Sequence, residues 1–271
     1  MERDGANELS DGRSVTAGVV VPAFRPDPER LEGYVRGLAD RFPVVRVEVD
    51  EPGAAVEKRL AGLPCETGVV AGRRGKGAAV TDGFEALADR ADVLAFADAD
   101  GSTPVDSVAD VVAVVEDRAD VGVGSRRHPA ADVRSHQTLA RRRLGDAFAW
   151  LARRLLATDL YDYQCGAKAV RVGVWRRLRE HLYEPGFAWD VELVAVAGAL
   201  GSTVEEVPVT WIDRPDSTVD PLRTPLELLP ALVTVRHRAK RIAGSRLHGA
   251  VGEGSTALVD RSEEPGGEGT R

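Results

Sequence analysis

The chain has 271 residues, of which 43% are hydrophobic, enough to bury the core of one large or two small domains and too apolar for wholesale disorder. A formal charge of -7 excludes a dedicated nucleic-acid binder, because an acidic chain offers no extended groove that neutralises phosphates.

Residues 1–16 and 244–271 are rich in Gly, Ser, Asp and Glu and read as mobile tails, leaving a folded body at 17–243. The opening residues lack the apolar run of a signal peptide, and no long apolar stretch predicts a spanning helix, so a lipid substrate would be met from one side of a membrane. Within the body, short apolar runs alternate with amphipathic ones, the pattern of a parallel sheet covered by helices. Residues 18–23 predict a buried strand and 27–42 its helix, with Leu31, Val35 and Leu38 on one face. There follow a strand at 44–49, a helix at 54–63, a strand at 67–71 and a helix at 76–89 entered through Gly75. A strand at 93–97, a helix at 105–116 behind Pro104 and a strand at 121–124 complete a Rossmann-like half. The second half predicts an Arg-rich helix at 138–157, a short strand at 166–170, helices at 173–182 and 189–200, and a strand at 203–211. The expectation is a single α/β domain, with a nucleotide-binding half at 17–125 and an acceptor-binding half at 126–243.

The sharpest chemical signal is Asp98 and Asp100, directly after the apolar run VLAFA. Side chains two apart at a strand end project to the same side, so both carboxylates can face one divalent ion, beyond the carboxyl edge where open α/β sheets bind ligands. The alternative is a solvated acidic loop, or a helix cap formed by Ser102 or Thr103. Between a strand and a helix lies Arg73-Arg74-Gly75-Lys76-Gly77, whose glycines let backbone N–H groups approach a phosphate while Lys76 adds a point charge. An ordinary basic turn has the same composition. Lysine stands only at Lys58, Lys76, Lys168 and Lys240, and this acidic, Lys-poor composition matches halophilic, GC-rich sources. Cys65 and Cys165 lack metal-ligand spacing and suit a reducing compartment; the histidines share no ligand spacing either.

PAF at 22–24, GRRGKGAAVTDGF at 72–84, VLAFADADGSTP at 93–104, GSR at 124–126, YQCGAK at 163–168, FAWDVEL at 187–193 and EVPVTW at 206–211 resemble, in order, glycosyltransferase family 2. The likeness is greatest to its dolichyl-phosphate glucose and mannose synthase branch and covers about residues 17–220. It implies the GT-A fold and an inverting hexosyltransferase that uses a nucleotide-sugar donor, UDP-glucose or GDP-mannose in kind. It also implies Mg2+ or Mn2+ at Asp98 and Asp100, the nucleoside near Pro22 and Asp50, and the donor near Lys76 and Gly77. Asp190 matches the acidic position near the reacting sugar, and Gln164, Cys165 and Gly166 match the branch signature. The chain departs from the family at Phe24-Arg25-Pro26-Asp27, at Asp50-Glu51-Pro52-Gly53, and at Asp216-Ser217-Thr218, where a phosphate-binding lysine is usual.

The acceptor expected is dolichyl or polyprenyl phosphate, whose second pKa of about 6 leaves it ionised at neutral pH without a base. Arginines suited to bidentate phosphate contact are Arg126, Arg134 and Arg141; a solvated basic face is the alternative. Residues 221–242 predict a C-terminal amphipathic helix, with Leu222, Leu226, Leu229, Leu232 and Val233 ahead of a basic end. Such a helix either lies on the cytoplasmic face of a membrane, making the protein peripheral, or packs on the core. Rival activities are extension of a lipid- or protein-linked glycan at a hydroxyl, a non-catalytic nucleotide-sugar sensor, and a nucleotidyltransferase.

Overall fold

The computed structural model describes residues 15–134, 139–212, 223–245 and 256–261; side chains at 139–144 and 223–227 lie outside that description. The first nine elements are β1 (Ala17–Phe24), α1 (Pro28–Arg41), β2 (Val44–Asp50), α2 (Ala54–Leu60), β3 (Glu66–Val70), α3 (Lys76–Leu87), β4 (Val93–Ala97), α4 (Val105–Asp117) and β5 (Val121–Ser125). The remainder comprises β6 (Asp132–Arg134), α5 (Leu139–Leu155), β7 (Ala167–Arg171), α6 (Val172–Leu178), α7 (Trp189–Ala199), β8 (Val204–Pro208), β9 (Thr210–Ile212), α8 (Arg223–Ile242) and α9 (Leu258–Arg261). Local chemistry sets the boundaries: Asp27 caps α1 by accepting the Arg30 N–H at 2.8 Å, and Pro28 occupies its first turn.

Seven strands form one sheet in the order β3-β2-β1-β4-β7-β5-β8. Neighbours pair in parallel except at β7, which runs antiparallel to both β4 and β5. The sheet is mostly parallel and flanked by helices, as the sequence periodicity predicts; the reversal of β7 is new, because hydrophobic period carries no strand direction. Leu31 and Val35 of α1, Val56 of α2 and Val112 of α4 cover one face. Phe84 of α3, Phe148 of α5, Trp175 of α6, Trp189 of α7 and Leu232 of α8 cover the other. Alternation along β4 sends Val93, Ala95 and Ala97 into the first layer and Leu94 and Phe96 into the second.

The strand expected at 203–211 is two strands. β8 extends the main sheet to Pro208, which has no N–H to continue a ladder, and β9 then pairs in parallel with the short β6. Of the two placements open to the C-terminal helix, packing on the body is the one its buried face takes: Leu228, Leu232, Val235 and Ala239 of α8 are buried in the layer that holds α5 and α7, whereas Val233 is 62% exposed. Arg238 clamps it in place, donating to Glu184 at 2.9 Å and to the buried Glu192 at 2.8 Å. Leu222 and Leu226 of the expected apolar face lie outside the described side chains. Within the stretch read as a second tail, α9 docks on the body: Leu258 is buried, and its N–H donates to the Leu182 carbonyl at 2.9 Å. Residues 1–14, 246–255 and 262–271 lie outside the described residues. Among the described residues, no helix is long and apolar enough to cross a membrane.

Candidate active site

A pocket opens at the carboxyl ends of β1, β2 and β4, where Pro22, Phe24, Arg73, Lys76, Asp98 and Asp100 contribute to its walls. Asp98 leaves β4 with its N–H bound to the Gly166 carbonyl at 2.9 Å, and Asp100 accepts the Ser102 N–H at 2.8 Å. Both carboxylates line the same cleft. The capping alternative fails, because α4 begins behind Pro104 without a side-chain cap. Enclosure pushes the Asp98 carboxyl above the usual aspartate range; Lys76 opposes that rise, and the charges of Asp100 and Asp190 add to it.

Lys76 is the hinge of the site. Its ammonium lies 2.8 Å from Asp98 Oδ1 and 2.8 Å from Asp190 Oδ2. Burial by itself would lower its pKa, but the two carboxylates outweigh that and hold it above the ordinary lysine range. The other oxygen of Asp190 accepts from the fully buried Lys168 at 2.8 Å. Asp190 is therefore enclosed between two ammonium groups, with its side chain only 3% exposed.

The loop before α3 is organised by Asp50. One carboxylate oxygen accepts the N–H groups of Arg74 and Gly75 at 2.7 and 3.1 Å, and the other accepts Arg74 Nε at 2.8 Å. Asp50 thus borders the pocket with both oxygens engaged by the loop that carries Lys76. Arg74 also bridges Glu48 and Asp82 at 2.9 and 2.7 Å, so it is internal, whereas Arg73 lies over the Phe24 ring at 4.4 Å on the pocket wall. Gly75 has φ 97° and a side chain there would strike the Pro185 carbonyl, so only glycine makes this turn. A side chain at Gly77, expected at the donor, would strike the Glu184 carbonyl and Trp189.

The Gln-Cys-Gly signature has a structural meaning. The Cys165 carbonyl accepts Lys168 Nζ at 2.8 Å, and a Cβ on Gly166 would lie 2.0 Å from Asp98 Oδ2. Cys165 itself is buried and its thiol is pushed up to about 11, chiefly by that burial, which suits an inert packed residue. Gln164 donates its N–H to Asp162 at 3.0 Å and is half-buried.

Two of the three arginines expected to hold an acceptor phosphate, Arg126 and Arg134, are already paired. Arg126 forms a two-pronged contact with buried Asp162 at 2.7 and 3.0 Å, Arg127 pairs with Asp146, and exposed Arg134 pairs with Asp132 at 2.8 Å. The side chains of Arg141 and its neighbours Arg142 and Arg143 lie outside the described set, as do Asp216, Ser217 and Thr218. Of the four tryptophans, Trp175, Trp189 and Trp211 are buried and Trp150 is 57% exposed. Among the described residues, no three His, Cys, Asp or Glu side chains form a cluster that could cage a metal.

Sequence reasoning missed Asp162 and the internal roles of Lys168 and Arg74. For Lys168 a signal was present: it is one of only four lysines in the chain and stands two residues after Gly166 of the signature.

The arrangement is that of a GT-A fold, with an acidic pair at the end of a central strand and a basic loop facing it across a cleft. Among curated proteins, glycosyltransferase AglD of Haloferax volcanii is 30% identical over 226 residues, covering 77% of this chain and 35% of that protein. The dolichyl-phosphate beta-glucosyltransferases of Dictyostelium discoideum (30% identical, 61% of this chain and 51% of that protein) and Drosophila melanogaster (28%, 81% and 74%) are similar too. The chain thus spans between about a third and three quarters of the length of these relatives. No protein-family model matches it. Among solved structures, glucosyl-3-phosphoglycerate synthase from Mycobacterium tuberculosis superposes with a TM-score of 0.62 at 17% identity, over 82% of this chain and 80% of that one. The resemblance to the dolichyl-phosphate glucose and mannose synthase branch therefore stands on these relatives, and the GT-A fold on the superposition.

Gly166→Ala is expected to displace the Asp98 carboxylate and to weaken binding of Mn2+ with a nucleoside diphosphate by at least about tenfold, roughly 1.4 kcal/mol, in calorimetry. Unchanged binding in a folded variant would contradict this placement of Asp98.

Proposed function

We propose that this protein is an inverting hexosyltransferase that moves a sugar from a nucleotide-sugar donor, UDP-glucose or GDP-mannose in kind, to the phosphate of dolichol or a related polyprenol. The observation that carries this reading is the enclosure of Asp190. An acceptor hydroxyl needs a carboxylate to take its proton, and both Asp190 oxygens are committed to lysines. A phosphate monoester, with a second pKa of about 6, is already ionised and attacks without a base. Relatives named for dolichyl phosphate, and one named undecaprenyl-phosphate mannosyltransferase, support the same acceptor chemistry.

The pocket takes the donor, with its diphosphate toward Lys76 and Arg73. As the acceptor oxygen bonds to the anomeric carbon, the bond from that carbon to the diphosphate breaks, leaving a lipid-phosphate sugar and a nucleoside diphosphate. Asp98 and Asp100 fit a hard divalent ion, since Mg2+ is commonly held by one or two carboxylates together with substrate phosphates. Bound there, Mg2+ or Mn2+ would neutralise the charge growing on the leaving diphosphate. The mycobacterial neighbour has been solved with Mn2+ and uridine diphosphate, which supports the same pairing.

Contact with the cytoplasmic face of a membrane is part of this reading, through α5 rather than α8. Trp150 is exposed with Arg154 5.8 Å from its ring, and exposed Tyr161 carries Arg153 at 5.6 Å. Aromatic rings beside arginines suit an anionic headgroup layer, and Tyr161 adjoins Asp162, the partner of Arg126 on the acceptor side.

Purified protein given labelled UDP-glucose or GDP-mannose, Mg2+ or Mn2+ and a short polyprenyl phosphate is expected to produce a lipid-linked sugar. Asp100→Ala should slow this by about 100-fold or more. Transfer only to a sugar hydroxyl would establish the glycan-extending alternative, and nucleotide binding without transfer would make the protein a sensor. On anionic vesicles, Trp150→Ser should reduce sedimentation of the protein several-fold, and equal sedimentation would remove α5 as the contact.

A further inference from the structure

Four alternating charges run from the pocket into the core: Asp98, Lys76, Asp190 and Lys168, each 2.8 Å from the next. Strand geometry builds the chain. Phe96 lies opposite Lys168 across the antiparallel β4 and β7 pair, so the two share a sheet face, and Asp98 follows Phe96 by one period. α3 and α7 are packed on that face, and their first turns supply Lys76 and Asp190. Both ammonium groups lie against the Phe96 ring, at 4.8 and 5.6 Å from its centre.

The inner end of this chain has no access to substrate. Lys168 is fully buried, outside the pocket wall, and held by the Cys165 carbonyl as well as by Asp190. With one oxygen satisfied by Lys168, Asp190 presents only the other to Lys76, so Lys76 is shared with Asp98 and kept on the pocket wall. Without Lys168, a carboxylate left half-paired in the interior would draw the Lys76 ammonium to itself and away from the cleft.

We propose that Lys168 is a positioning residue that acts through Asp190 to hold the Lys76 ammonium where it meets the donor's diphosphate. The inference rests on the donor reading above. The rear charge of the chain, rather than a residue of the pocket wall, thereby controls diphosphate affinity.

The test is a double-mutant cycle read by calorimetry with UDP and with GDP, each with Mn2+, on wild type, Lys168→Met, Lys76→Ala and the double variant. Lys168→Met is expected to weaken nucleotide affinity tenfold or more. In the Lys76→Ala background the same change should have little further effect, because the group through which it acts is gone. Equal loss in both backgrounds would overturn the proposal, since a general structural defect does not depend on Lys76. If Lys168→Met does not fold, Asp190→Asn replaces it in the same cycle, with the same non-additivity expected and additivity again contradicting the proposal. Wild type that binds neither nucleotide would refute the donor reading, and this inference with it. Wild type that binds one of them, with an additive cycle, would sink the inference alone.

Discussion

Two carboxylates converge on one ammonium group where the sheet meets the cleft, and the site depends on that shared contact. Asp98 and Asp190 come from elements far apart in the chain, and with no cation between them their like charges would repel. Lys76 removes that repulsion and draws β4, α3 and α7 together at their ends. The same ammonium borders the pocket, so a group that stabilises the fold is also placed to meet an anionic ligand.

The surrounding structure serves this contact. Asp50 and Arg74 shape the loop that delivers Lys76, and Gly75 allows that loop to pass against the Pro185 carbonyl. Gly166 leaves room for the Asp98 carboxylate, while Cys165 supplies a carbonyl to Lys168. Behind α7, Glu192 accepts the N–H groups of Tyr183 and Glu184 at 2.8 Å and pairs with Arg238, so α8 braces the segment packed on Gly77. The helix that sequence alone allowed to be a membrane element is, on its buried face, a brace for the active site.

Much of the fold was legible because parallel strands buried on both faces read as unbroken apolar runs, such as VLAFA at 93–97, and helices as period-3.6 patterns. β6 was not, since Asp132, Val133 and Arg134 are too few and too exposed to show a period, and the break at Pro208 was hidden by valines on both sides. In the site, Asp98 and Asp100 announced themselves by spacing after a strand. Asp190 was found by its motif, but its enclosure depends on Lys168, twenty-two positions away and brought near only by pairing of β7 with β4. The paired state of Arg126 was likewise invisible, because Asp162 carries no local mark of its role.

The account can be tested most directly by a crystal structure of the protein with Mn2+ and a nucleoside diphosphate, using the anomalous signal of manganese. It predicts the ion in contact with Asp98 and Asp100, and the Lys76 ammonium turned from Asp98 onto the diphosphate while still bound to Asp190. Manganese located elsewhere, with Lys76 still bridging Asp98 and Asp190 and the nucleotide outside the pocket, would contradict it.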